Sequence, residues 1–198
     1  MLIKKNIINI FKKVLICGIM CAVVITTFAQ KSAEELMAVR EELKKELNDK
    51  KTVNRTKKLE DLDKKGQPAD TELASLNSLA SASTALLKTT KANNEVLKDF
   101  RKELKESKES KDVDIKKHTS QPESLNEMVK TIGEKIKEVQ EELKKVDSVK
   151  DEIKSLSPKD APKATKSVKY STDALGSSGE ELQMQLKLVN HLIESSKK

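Results

Sequence analysis

Between residues 125 and 153 a stripe of apolar residues falls at Leu125, Val129, Ile132, Ile136, Val139, Leu143, Val146 and Ile153, spaced by fours and threes with Lys150 as the one polar interruption. That spacing holds a narrow stripe on one side of a helix, as helices lying nearly parallel to their partners require. Lys, Glu and Gln fill the intervening positions and supply solvation and helix propensity. The stripe predicts a helix over about 121–156, stopped by Ser157-Pro158.

Three further segments keep the same rhythm. Ser32-Ala33-Glu34-Glu35 has capping-box spacing and predicts a helix over about 32–64, with Leu36, Val39, Leu43, Leu47, Val53, Leu59 and Leu62 inward. Its middle, 48–58, is almost wholly polar, and Gly66-Gln67-Pro68 ends it. Asp70 is the expected cap of a second helix, 70–108, striped by Leu73, Leu76, Ala80, Ser83, Leu87, Thr90, Asn94, Leu97 and Leu104. Within it, 73–87 is rich in small residues, which let a partner helix approach closely. The last helix, 161–196, carries Val168, Thr172, Leu175, Gly179, Leu182, Leu186, Val189 and Ile193. Gly176-Ser177-Ser178-Gly179 interrupts it, implying either a kink or glycines that meet the backbone of a neighbour.

Four such segments joined by short first and third connections predict an all-α fold. The expected form is an elongated antiparallel up-down-up-down four-helix bundle, each helix about 50 Å long. The longer second connection, 105–121, is a dense mixture of Lys, Glu, Ser and Asp and reads as mobile.

Residues 1–29 change the picture. Lys4, Lys5, Lys12 and Lys13 precede an apolar run from 14 to 26, and Thr27-Phe28-Ala29 offers a small-residue cleavage site. This is the layout of a secretory signal peptide cleaved before Gln30. An uncleaved anchor is disfavoured, because the run is short of the roughly 20 residues a span needs. Lipidation is disfavoured because Ile16 and Met20, rather than small residues, precede Cys17 and Cys21. The expected mature chain, 30–198, is a single helical-bundle domain without cysteine. It has no thiolate chemistry and relies on packing for stability. Losing the four leader lysines lowers the formal charge from +7 to +3.

Candidate chemistry is sparse. His118 lies in the polar connection, and His191 beside the last stripe has Glu194 three positions after it, a spacing commoner at surfaces than in metal sites. No phosphate loop, nucleophile elbow or zinc motif occurs. The sequence therefore names no catalytic, cofactor-binding or metal residue, and no cofactor. Arginine is confined to Arg40, Arg55 and Arg101, lysine runs are interleaved with acids, and stacking aromatics are missing, so nucleic-acid binding is excluded. Lys, Asn and Ile usage suits an AT-rich bacterial genome. In composition the chain resembles small lysine-rich helical-bundle proteins of bacterial surfaces and periplasm, although no motif ties it to one family.

The expectation is an exported, non-enzymatic protein of the periplasm, cell surface or extracellular space that binds a protein or serves the envelope structurally. Membrane contact is expected only through an uncleaved leader, and self-association between stripes is a further possibility. The alternative is a periplasmic carrier or chaperone holding an apolar ligand against 73–87. Residues 48–58, 105–117 and 176–179, where the pattern fails, are the first places to look for function.

Overall fold

A computed structural model of the chain describes residues 31–119 and 122–197, with backbone alone at Pro122. The leader at 1–29 lies outside the described residues. Those described form an all-α helical bundle. Its elements are α1 (Ala33–Asn48), α2 (Lys50–Lys65), α3 (Ala74–Val96), α4 (Lys98–Glu106), a 3-10 turn (Ser110–Asp112), α5 (Ile115–His118), α6 (Pro122–Ile153) and α7 (Ala161–Ser196).

The first two expected helices are each divided. Asp49 separates α1 from α2 with an extended backbone (φ −64°, ψ 139°), and its carboxylate accepts the Lys51 N–H. This one-residue offset moves the inward positions from Leu36, Arg40, Leu43 and Leu47 to Thr52, Leu59 and Leu62. Val53, expected inward, is therefore exposed. The start of α1 follows expectation: Ser32 Oγ accepts the Glu35 N–H at 3.1 Å, and the Ser32 N–H donates to Glu35 Oε2. Gly66, with φ 70°, ends α2 as a residue free of Cβ can.

Asp70 does not cap the next helix, which begins at Ala74. The Thr71 N–H donates to Asn77 Oδ1, and Asn77 Nδ2 donates back to Thr71 O, so these bonds lock 71–73 into a separate turn. In α6 the inward stripe passes through Val139, Glu142, Val146 and Val149. Val149 thus takes the place that Lys150 seemed to interrupt.

Cross-arm pairs give the directions. Arg40, Glu46, Arg55 and Lys58 meet His191, Lys187, Glu181 and Asp173, so the α1–α2 arm runs antiparallel to α7. Thr84, Asn93 and Phe100 meet Tyr170, Gln185 and His191, so the α3–α4 arm runs parallel to it.

The organising element is α7 rather than 125–153. It packs against α1, α2, α3, α5 and α6. Its buried residues include both Val168, Leu175, Leu182 and Val189 and the neighbouring row Ser171, Ala174, Ser178, Glu181, Gln185, Leu188 and Leu192. A helix surrounded on most sides needs more than one inward row. Its small side chains leave room for that many neighbours.

The glycine pair in α7 interrupts nothing. A Cβ on Gly179 would lie 3.0 Å from Val139 Cγ1, whereas one on Gly176 would meet nothing within 4 Å. Neither glycine meets a neighbour's backbone: Gly179 lies against the Val139 side chain, and Gly176 faces open space. Gly176→Ala should raise stability by about 0.5–1 kcal/mol through helix propensity. Gly179→Ala should lose that gain against Val139, a stiff β-branched side chain. Urea denaturation of the two variants measures the difference.

Candidate functional site

Two buried polar clusters and two grooves stand out among the described residues. The first cluster is an Arg–Glu–Arg triad joining three arms. Glu181 of α7 is fully buried. Arg55 Nε of α2 donates to its Oε2 at 2.7 Å, and Arg101 Nη1 of α4 donates to its Oε1 at 2.5 Å. Arg101 Nη1 also reaches Asn94 Oδ1, which accepts from Gln185 Nε2 at 2.8 Å. Gln185 Nε2 donates to Thr90 O as well, and its Oε1 accepts from Asn93 Nδ2. Burial alone would raise the Glu181 pKa, but the Arg101 charge and the hydrogen bonds from Arg55 and Arg101 outweigh it. The carboxyl is held below its ordinary value.

The second cluster gathers both described histidines around Phe100. The His118 ring lies 5.3 Å from Phe100, and His191 stacks on it at 6.4 Å with 14° between planes. Arg40 Nε donates to His191 Nε2 at 3.1 Å, and Arg40 Nη1 donates to Ser110 O at 2.9 Å. His118 Nε2 pairs with Glu103 Oε2 at 2.8 Å, and Glu103 Oε1 accepts the Asp114 N–H. The Asp114 N–H bond, then the His118 bond, hold the Glu103 carboxyl below its ordinary range.

This cluster alters the reading of the connection expected to be mobile. Residues 107–119 are fastened across the end of the bundle by Arg40, by Glu41 accepting the Ser110 N–H, and by Lys44 donating to Ser107 O and Lys108 O. Val113 and Ser110 within it are buried. The hydrogen bonds from Ser110 keep the Glu41 pKa low.

Ser195 Oγ lies 3.4 Å from His191 Nε2. That nitrogen already accepts from Arg40, so the lone pair that would take a serine proton is engaged. Among the described residues no group of three His, Cys, Asp or Glu is placed to hold a metal ion.

A groove of about 490 Å³ lies between α2 and the α3–α4 arm, with Thr56, Leu59 and Glu60 on one wall and Lys91, Asn94 and Arg101 on the other. A second, of about 400 Å³, lies beside Ala33, Leu36, Met37, Val113 and Ile115. Met37, 39% exposed, also borders a shallower depression of about 250 Å³ next to Ser110. Two of the irregular segments, 48–58 and 105–117, thus contribute to grooves, while Gly179 serves packing. Segment 73–87 lines neither groove, and its inward residues Leu76, Leu79, Ala80, Ser83, Leu86 and Leu87 are buried.

Sequence reasoning passed over Arg40, Arg55, Glu181 and Gln185. A signal existed, since each sits at three- or four-residue spacing from buried apolar neighbours on its own helix. Comparison with protein-family models, curated proteins and solved structures finds no match to this chain.

Proposed function

We propose that this protein is an exported, non-enzymatic helical bundle that binds a protein partner through the face shared by α1 and the 107–119 connection. Met37 carries the reading. It is a large apolar side chain left substantially exposed, with a depression on either side. Methionine is enriched at interface centres, where its flexible thioether adapts to a partner. The fastened connection supports the reading too, because a pre-ordered surface binds at lower entropic cost. The engaged His191 lone pair and the sparse chemistry of the sequence favour binding over catalysis. Export rests on the charged-then-apolar layout of 1–29. In the described residues no helix is long and apolar enough to cross a membrane.

The test is capture of a partner from envelope extract or host serum by immobilised protein, repeated with Met37→Asp. The variant should weaken capture about tenfold or more, equivalent to about 1.4 kcal/mol, at unchanged melting temperature. A partner retained equally by both proteins, or none at all, would overturn the proposal.

A further inference from the structure

We propose that α2 is a lid, hinged at Asp49 and Gly66, that opens as a unit while the rest of the bundle stays folded. The inference is independent of the Met37 face, since it concerns a different helix and a different measurement.

Both hinges are breaks in helical backbone: Asp49 is extended, and Gly66 has a positive φ. Between them α2 buries only Thr52, Leu59 and Leu62. Leu59 and Leu62 do not join the main core. They form a small separate cluster with Leu87, Tyr170 and Ala174, whereas Leu43 and Leu47 of α1 lie in the continuous core with α3, α6 and α7.

Ion pairs do much of the remaining fastening. Arg55 reaches Glu181, Lys58 reaches Asp173 Oδ1 at 2.7 Å, and Asp63 pairs with Lys91. The last two pairs are about one-third to one-half exposed, so solvent weakens them. A helix with few buried apolar contacts, held by one buried pair and two solvent-weakened ones, belongs nearer the low-stability end of the fold than α6 and α7. The 490 Å³ groove already runs along its edge and reaches Arg101, so a small outward rotation would uncover the Glu181–Arg101 pair, Leu87 and Tyr170.

Native-state hydrogen exchange of the whole protein across low urea concentrations tests this directly. Amides of α2 should exchange at least about tenfold faster than the slowest amides of α6 and α7. Their rates should also depend more weakly on urea, because lid opening exposes less surface than global unfolding. Lys58→Glu, which sets two acids against each other at Asp173, should speed α2 exchange severalfold further. The proposal is overturned if α2 shares the rate and urea dependence of α6 and α7. Unchanged α2 exchange in Lys58→Glu would also overturn it.

Discussion

Glu181→Ala should cost the bundle about 3–5 kcal/mol, because it leaves two guanidinium groups without their common buried partner. Against a total of about 5–15 kcal/mol for an ordinary domain, that is enough to unfold much of the protein near physiological temperature. Arg55 and Arg101 are about nine-tenths buried and cannot recover full hydration without moving their helices. Replacing the whole triad together, as Arg55→Met, Glu181→Leu and Arg101→Met, should by contrast be neutral or stabilising by about 1–4 kcal/mol. Urea denaturation of the single and triple variants measures both. Similar losses in the two would mean that the triad contributes net stability rather than specifying which helices meet.

The same carboxylate sets an acid limit. Its folded pKa lies below the unfolded value, so its stabilisation is fully present above the unfolded pKa of about 4.3 and is lost as pH falls through the folded value. Glu103 acts in the same direction. Wild type should therefore destabilise on acidification below the ordinary carboxylate range. Glu181→Gln should flatten that part of the stability profile, which a pH series of thermal melts would reveal.

Ile136→Asp is the second large effect. Ile136 is 6% exposed in the main core beside Val139 and Ile132, and none of the hydrogen bonds described near it offers a carboxylate a partner. An unpaired charge there should cost more than about 4 kcal/mol and unfold the bundle. The adjacent exposed Lys137 faces water, and Lys137→Asp should change stability by no more than about 0.5 kcal/mol. Circular dichroism melts distinguish them. Equal effects would contradict burial of the α6 stripe.

The long-range pattern was legible because helix periodicity is a local property. Apolar residues three and four apart share a face whatever they later touch, so the run 161–196 and most of the 125–153 stripe could be placed beforehand. Breaks were less legible. One residue at Asp49 resets which positions point inward, and a window tuned to a continuous stripe reads the resulting polar middle as solvated.

The buried polar groups were harder still. Arg55 and Glu181 are 126 positions apart and become buried only because each finds the other. In isolation both are ordinary surface residues of charged helices, and only contact offsets the cost of leaving water. The polar connection behaved likewise: nothing within 107–119 predicts order, which comes from Arg40, Glu41, Lys44 and Glu103 on other helices.

The sequence by itself therefore determined the helical class, most of the apolar faces and most outer limits of the expected helices, since propensity and periodicity act over a few residues. Only the tertiary structure decided that α7 is the central helix, that Glu181 links three arms and that Met37 stands exposed between two depressions. Each of these depends on which distant surfaces come together, and similar amphipathic stripes are compatible with more than one such arrangement.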